Sequence, residues 1–385
     1  MALRLVDEAP TELVELAQAL IRLDTVNPPG REGDAAGMLG AYLEARGVAV
    51  DVRDLGSGRA NLVASVPGAG TGRSLVLAGH LDTVPAHTDE WTVDPWAGVV
   101  KDGLLFGRGA CDMKGSVAAM AVALTRLVEA DPLSGDVVLV ATAGEETDSY
   151  GAYALLDQGV LDAVDGIVVG EPTRLELGVC HKGLLWVEVE LEGQAAHGSQ
   201  PEQGVNAIQR LLEWLEPFDE LEQLVRGAAH ARLGSGSLSL NMIAGGTAPN
   251  IVPDRARATL DFRTVPGIEH KAILETLRSR APAAGLRVLR DSVPVATPED
   301  SELVRATTSA IRQMEGGDAR LRGLPYVTDG SAFSEFSDAS IVIVGPGDER
   351  VAHTKDESVA ISDLGRAADL YEEIARTYCR HVDKA

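Results

Sequence analysis

The feature that most constrains the fold is a series of short, almost continuously apolar runs that alternate with helix-like segments. The runs are SLVLAGH (residues 74–80), VVLVATAGEE (137–146), GIVVGEP (166–172) and SIVIVGPG (340–347). Runs of this kind are typical of strands that are buried on both faces, as in parallel sheets with helices on each side. We therefore expect an α/β protein with a mostly parallel sheet that is covered by helices on both faces.

The pattern changes between residues 183 and 292, where apolar and polar residues alternate as in strands exposed on one face. This pattern indicates strands in LLWVEVELEG, SLSLNMIAGG, RATLDFRT and LRVLRDSV. Helices are expected near 204–215 and 267–280. The order β-α-β-β-α-β is that of a small split βαβ sandwich. We expect an inserted domain at 183–292, with 1–182 and 293–385 forming the larger domain.

Charge and cysteine content exclude several partners and settings. Acidic residues outnumber basic ones by 58 to 34 without any run of Lys and Arg, so a nucleic-acid backbone would be repelled. The 3 cysteines form no CxxC pair, which fits a reducing setting. The amphipathic start does not resemble a signal peptide, and no apolar run approaches the roughly 18 residues of a membrane span. We expect a cytoplasmic protein that binds neither nucleic acid nor membrane.

Potential metal ligands stand at or just after the carboxyl ends of the four runs: His80, Glu145, Glu146, Glu171 and His353. Asp112 arrives from a Gly-rich turn just ahead of an Ala-rich helix. The carboxyl ends of neighbouring strands in an open parallel sheet form one crevice. We therefore expect these side chains to meet, although they are scattered along the chain.

Imidazole and carboxylate groups together suit a pair of divalent ions, zinc first, with cobalt or manganese as substitutes. One carboxylate must bridge the two ions, which then lie roughly 3.5–4 Å apart and share a hydroxide nucleophile. Glu145, the spare acid beside Glu146, is then a natural general base. It would take the proton of the bridging water and pass it to a leaving amine.

Taken singly, these residues have ordinary explanations. A lone His at a strand end is more often structural than a ligand, and a Glu-Glu pair in a loop is usually just solvated. The functional interpretation rests on one fold placing all six residues at one sheet edge. The chain has neither a P-loop nor a GxSxG motif, which disfavours nucleotide hydrolysis and a serine nucleophile.

A set of ordered motifs spans nearly the whole chain: GHLDTVP, GRGACDMKG, ATAGEE, VVGEPT, HKG, AAHGSQP, GVNAI, PNIVPD and LDFRT. With these motifs and the late His353, the sequence resembles the dinuclear-zinc amidohydrolases. That family includes acetylornithine deacetylase, succinyl-diaminopimelate desuccinylase, aminoacylase and the glutamate-releasing carboxypeptidases. The resemblance implies a zinc-exopeptidase-like fold, two Zn²⁺ ions and a small-molecule substrate.

Carried over by position, the resemblance implies that Asp112 bridges both ions. His80 and Glu171 would complete one metal site, and Glu146 and His353 the other. Glu145 would be the general base. Asp82 would hold the far nitrogen of His80 and so fix its tautomer. The peptide bond after Asp112 is often cis in this family.

The resemblance also implies that the inserted domain is a lid and dimerisation domain. His197 matches a lid histidine that stabilises the oxyanion and, in dimeric relatives, reaches the partner subunit's site. Asn250 and Arg263 match residues that hold a substrate carboxylate, to which a guanidinium fork is well suited. The alternative for Arg263 is an ion pair with a neighbouring acid such as Asp261. We expect a homodimer formed through this domain.

One position bears on the substrate. Glu171 is a Glu, as in the deacetylase and desuccinylase branches, whereas the peptidase branches more often carry Asp there. This favours hydrolysis of an N-acyl amino acid, with a dipeptidase or carboxypeptidase as the alternative. A third hypothesis, a catalytically silent binding protein, is disfavoured because all six candidate positions hold competent residues.

Overall fold

The computed structural model describes residues 9–216, 218–280 and 284–380. The chain divides into two compact units. The first comprises the described residues up to Val179, together with Thr297–Arg322 and the described residues from Thr328 onward. The second comprises Cys180–Ala296 and the short segment Gly323–Val327, which the sequence pattern did not associate with it.

The helices of the described residues, in chain order, are α1 (Thr11–Ile21), α2 (Glu32–Glu44), α3 (Lys114–Val128), α4 (Tyr150–Asp157), α5 (Ala207–Leu215), α6 (Phe218–Arg226), α7 (His270–Arg280), α8 (Glu302–Glu315), α9 (Gly330–Phe336) and α10 (Ile361–Tyr378). Among these residues no helix combines the length and the apolarity that crossing a bilayer requires.

The strands of the described residues are β1 (Ala49–Gly56), β2 (Arg59–Val66), β3 (Leu75–His80), β4 (Val99–Lys101), β5 (Leu104–Phe106), β6 (Val137–Thr142), β7 (Gly166–Val169), β8 (Leu177–His181), β9 (Gly183–Glu192), β10 (Ala229–His230), β11 (Gly234–Ser235), β12 (Ser237–Gly245), β13 (Arg255–Thr264), β14 (Gly285–Ser292), β15 (Val295–Ala296), β16 (Leu321–Leu324), β17 (Ser340–Ile343) and β18 (Ser358–Ala360).

The central sheet has the strand order β1-β2-β6-β3-β7-β17-β8-β15, with β16 also paired to β8. Its middle strands, β6, β3, β7 and β17, are parallel to one another, and the outer pairs are antiparallel. Every residue of β3 and of β7 is buried, which is possible only where both faces are covered. The expected α/β architecture with a mainly parallel sheet is therefore confirmed.

The Ala-rich helix α3 shows how composition serves packing in the first unit. Nearly all of its residues are buried, so small side chains let it lie close to its neighbours. It packs against α10, α1 and β3. The tight fit extends to Gly79 of β3, where a Cβ would lie 2.7 Å from Met113 Cε. The first turn of α3 is thereby fixed beside the end of β3.

The second unit contains an antiparallel sheet of order β12-β13-β9-β14. Along β9 the apolar residues Leu185, Val187 and Val189 are buried, and the intervening residues are only partly covered. Helices α5, α6 and α7 contribute apolar residues to the same core. The β-α-β-β-α-β pattern expected from the sequence is present, with α6 and the β10–β11 hairpin as additions that the sequence pattern did not predict.

Candidate metal centre

The parallel strands of the first unit deliver the candidate ligands side by side. His80 is the last residue of β3, and its backbone lies opposite Thr142, the last residue of β6. Glu145 and Glu146 follow β6, and Glu171 follows β7 after one glycine. The sheet order β6-β3-β7-β17 thus sets the order of the polar residues along this edge.

Asp112 lies between the two histidines. Its Oδ1 is 3.0 Å from His80 Nε2, and its Oδ2 is 3.2 Å from His353 Nε2. Each carboxylate oxygen therefore faces a different imidazole, which is the arrangement that a bridging ligand requires. The peptide bond between Asp112 and Met113 is cis, as in the family that the sequence resembles.

Two overlapping groups of potential ligands result. One contains His80, Asp112 and Glu171, and the other contains Asp112, Glu146 and His353. In each group the ligand atoms lie within 4.8 Å of one another. His353 Nε2 is 3.0 Å from Glu146 Oε1, and His80 Nε2 is 3.7 Å from Glu171 Oε1. The structure thus brings together all five residues for which the sequence predicts metal binding.

Burial and mutual contacts shift the pKa values of the acids and of His353 in this cluster. Burial, followed by the charge of Asp112, raises the pKa of Glu146 and of Glu171. Burial also opposes ionisation of Asp112, but hydrogen bonds to His353 and His80 hold the pKa of Asp112 below its usual range. Hydrogen bonds to Asp112 and Glu146 raise the pKa of His353 to about 11. The buried acids therefore favour positive charge between them.

This donor set fits divalent cations. Two imidazoles and three carboxylates converge here, and the carboxylates are largely buried although His353 is half exposed. Buried acids of this kind are stable only when they are paired or coordinate a metal. Nitrogen and oxygen donors in this mixture suit zinc, and also other divalent transition metals. The shared position of Asp112 in both groups fits a pair of ions better than a single one.

Asp82 has a wider role than the sequence indicated. His80 Nδ1 is 3.0 Å from the backbone carbonyl oxygen of Asp82 and 3.5 Å from its carboxylate, so the carbonyl is the closer partner. The Asp82 carboxylate accepts hydrogen bonds from the backbone N–H groups of Glu145, at 3.1 Å, and Glu146, at 3.2 Å. One buried side chain therefore connects the strand that bears His80 to the loop that bears both glutamates.

Asn27 completes this connection and was not singled out from the sequence. Its side-chain amide donates to Asp82 Oδ2 at 2.9 Å and to Thr147 Oγ1 at 3.0 Å. Asn27 begins an Asn-Pro-Pro-Gly run, a pattern that on its own indicates only the end of a helix. Because Asn27 and Asp82 are 55 positions apart, no local pattern could have revealed the contact.

His353 occupies an unusual backbone conformation. Its φ is +60°, in the left-handed region that residues other than glycine rarely adopt. Such conformations persist where the surroundings fix them, and they are concentrated at functional sites. Here the surroundings include the contacts of the imidazole with Asp112 and Glu146.

Asp329 lies directly before helix α9, which begins at Gly330, and its side chain is buried. Asp329 Oδ2 accepts a hydrogen bond of 2.6 Å from Thr142, at the end of β6.

The second unit holds the other residues with predicted roles. His197 and Asn250 lie on paired loop segments, since Gly198 N donates to the carbonyl of Asn250 at 2.7 Å. His197 is exposed, and its Nδ1 accepts a hydrogen bond of 2.7 Å from the Ser199 hydroxyl.

Arg263 makes the contact that the sequence analysis gave as its alternative. Its Nε and Nη2 donate to the two carboxylate oxygens of Asp261, at 2.8 and 3.2 Å. The Arg263 side chain keeps 32% of its surface exposed. Binding of a substrate carboxylate by Arg263 stays a prediction.

A mainly parallel sheet that presents imidazoles and buried carboxylates at its carboxyl edge has the donor groups that a metal-dependent hydrolase of the α/β class needs. The chain belongs to the peptidase family M20/M25/M40, whose family model matches residues 76–377. It is therefore an enzyme that acts on amide bonds.

Curated relatives agree with this assignment. The chain is 34% identical to an acetylornithine deacetylase of Myxococcus xanthus, over 88% of this chain and 90% of that protein. It is 32% identical to a probable succinyl-diaminopimelate desuccinylase of Staphylococcus epidermidis, over 83% of this chain and 86% of that protein. Among solved structures, an M20 family metallo-carboxypeptidase of Sulfolobus solfataricus shares the fold, with a TM-score of 0.81, 19% identity and coverage of 96% of this chain and 100% of that chain.

Proposed function

We propose that this enzyme hydrolyses the amide bond of an N-acyl amino acid with two divalent cations, zinc in the first place, bound at the sheet edge. Asp112 would bridge the two cations. His80 and Glu171 would complete one site, and Glu146 and His353 the other. The observation that carries this proposal is the position of Asp112, whose two carboxylate oxygens lie 3.0 and 3.2 Å from the Nε2 atoms of different histidines.

The bound cations would supply Lewis acidity, which lowers the pKa of water and polarises a carbonyl oxygen. Glu145 would accept the proton of the attacking water and deliver it to the departing amine nitrogen. Its backbone is fixed for this task, because Glu145 N donates to Asp82 at 3.1 Å. Asp82 would also keep His80 in the tautomer whose Nε2 can bind a metal, since the backbone carbonyl of Asp82 accepts from His80 Nδ1.

The substrate class rests on two supports. The curated relatives with about a third identity are named as a desuccinylase and a deacetylase, which release amino acids from N-acyl groups. Glu171 is a Glu, as in those branches of the family.

In the second unit, His197 would stabilise the oxyanion, and Asn250 and Arg263 would hold the amino-acid carboxylate.

We further propose a homodimer formed through the second unit. Strand β12 is an edge strand, and β13 is its partner in the sheet of that unit. It exposes Leu240, Met242 and Ile243, of which Met242 and Ile243 are 66% and 53% exposed. An exposed apolar edge strand is a ready template for pairing with a second copy, which a two-fold dimer satisfies.

A substrate panel tests the proposed activity. Metal-stripped enzyme receives zinc, cobalt or manganese, and kcat/KM is measured on N-acetyl and N-succinyl amino acids, dipeptides and longer peptides. We expect zinc to restore activity, with an acyl amino acid as the best substrate. Higher kcat/KM on dipeptides or peptides would establish the peptidase alternative instead. Absence of both metal binding and chelator-sensitive turnover would contradict the proposal and favour a binding protein.

A further inference from the structure

A buried acid outside the predicted ligand set holds the loop that carries Asp112. Glu357 is fully buried, and its Oε1 accepts hydrogen bonds from the backbone N–H groups of Gly109, Cys111 and Asp112 at 3.1, 2.9 and 3.0 Å. Its Oε2 accepts a bond of 2.5 Å from Arg108 Nη1. One carboxylate thus binds four donors of a single five-residue loop.

These hydrogen bonds provide acceptors for the backbone N–H groups of the loop and donors for the buried Glu357 carboxylate. Backbone N–H groups in a buried loop need acceptors, and a charged acceptor binds them more strongly than a neutral one. A buried carboxylate in turn needs a compensating charge, which Arg108 supplies with a side chain that is only 4% exposed. The loop around Asp112 is therefore set by these bonds, which do not involve the candidate ligand atoms.

Glu357 also lies close in sequence to a candidate ligand. It follows His353 by four residues and directly precedes β18. Its backbone carbonyl accepts from Gly107 N at 3.0 Å, so main chain and side chain both join the two segments. Glu357 therefore joins the segment that bears His353 to the loop that bears Asp112. The side chains of these two residues meet where His353 Nε2 approaches Asp112 Oδ2.

We propose that Glu357 is a positioning residue that pre-sets Asp112 and the His353 segment for binding both metal ions. This inference rests on the proposed metal centre. Because Asp112 belongs to both ligand groups, loosening its loop weakens binding at both sites rather than at one.

The test compares Glu357→Gln with wild type in the binding of Zn²⁺ to metal-free protein, measured by competition with a chromophoric chelator. The amide keeps the volume of the carboxylate. The amide has only one oxygen, however. If that oxygen accepts from the loop, the NH₂ group must face the Arg108 donors, and two groups of donors then meet without an acceptor. We expect a loss of about 10–100-fold in affinity for both ions, as is typical when a group that orients a ligand is lost. Wild-type affinity for both ions in Glu357→Gln would overturn the proposal.

Asp356→Asn is the matched control. Asp356 is the adjacent acid of the same segment, and its carboxylate accepts hydrogen bonds from Thr92 N at 2.8 Å and from Thr92 Oγ1 at 3.1 Å. We expect its Zn²⁺ affinities to stay close to wild type. An equal loss in both variants would overturn the proposal, since general loosening of the segment would then explain it.

A measurement on the wild type covers the case in which Glu357→Gln does not fold. In metal-free protein, the amides of residues 109, 111 and 112 should exchange slowly with deuterium because Glu357 already binds them. Exchange at the rate of exposed loops would overturn the proposal. Wild-type protein that binds no Zn²⁺ would instead contradict the proposed metal centre, so the two failures are distinguishable.

Discussion

Glu145 and Glu146 are adjacent in sequence but are assigned different chemistry. Both backbone N–H groups are fixed by the Asp82 carboxylate. Glu146 then contacts His353 at 3.0 Å, as a ligand should, while Glu145 is 7% exposed beside it. Under the proposed mechanism Glu146 would be a metal ligand, and the adjacent Glu145 would be the general base.

Replacing Glu145 by Gln should remove the base and keep the metals. We expect kcat to fall by about 10²–10⁴-fold, which is the usual contribution of a positioned general base, with metal content unchanged. The matched variant Glu146→Gln should lose metal affinity as well as activity. Turnover and metal content are measured on the same samples, and near wild-type kcat in Glu145→Gln would show that another group is the base.

His181 gives the fold a defined sensitivity to acid. It is fully buried, and burial lowers its pKa to about 4, against about 6.5 for a solvated histidine. Between these pH values the unfolded chain binds a proton that the folded chain does not. Folding stability is therefore lost as pH falls from about 6.5 to about 4.

The variant His181→Gln should lack this contribution. From the pKa shift, wild type should lose about 3 kcal/mol more than His181→Gln between pH 7 and pH 4. Urea unfolding of both metal-free proteins across this range measures the difference, because the other titrating groups are shared. Parallel stability curves would show that His181 takes up its proton at the same pH in the folded and the unfolded protein.

At the scale of elements, the ends of β7 and β17 approach each other without room for side chains. A Cβ on Gly345 would lie 2.1 Å from the carbonyl oxygen of Gly170 and 2.6 Å from that of Glu171. Gly170 directly follows β7, and Gly345 follows β17 after Val344. The strand ends that lead to Glu171 and His353 are thus held together by close backbone contact.

Gly345→Ala should therefore destabilise the protein and disturb the metal centre. We expect a loss of about 1–3 kcal/mol in unfolding free energy, typical of overpacking against groups that cannot move away. Gly37→Ala in α2 is the control, because a Cβ there meets nothing within 4 Å and alanine is the better helix former. Equal stability of the two variants would mean that β7 and β17 can separate freely.

The same elements show what sequence could and could not predict. β3, β6, β7 and β17 were predictable because burial on both faces leaves continuous apolar runs. A periodic pattern of apolar residues could not be recognised in the short strands β8 and β16 or in the helices α6 and α9, because each contains too few repeats. Ligand types at strand ends were visible, and Asp82 was expected to orient His80, but the contributions of Asn27 and Glu357 were not predictable. The contact of Glu357 with Asp112 spans 245 positions.

At the scale of the whole molecule, charge and edge strands act in opposite directions on assembly. Each chain carries a formal charge of −24, which opposes association at low ionic strength and is screened as salt rises. The apolar residues of β12 favour pairing. The opposite edge strand, β14, exposes Val288 and Leu289 at 39% and 40%, so the second unit offers a second, less apolar edge.

Introducing charge on β12 should convert the proposed homodimer to a monomer. We expect Ile243→Lys to elute as a monomer in size-exclusion chromatography with light scattering, because dimerisation would bury an unpaired ammonium group. Val288→Lys on β14 should stay dimeric, and dimerisation of the wild type should strengthen with salt. Dissociation by Val288→Lys but not by Ile243→Lys would assign the interface to β14, and a monomeric wild type at micromolar concentration would contradict the homodimer itself.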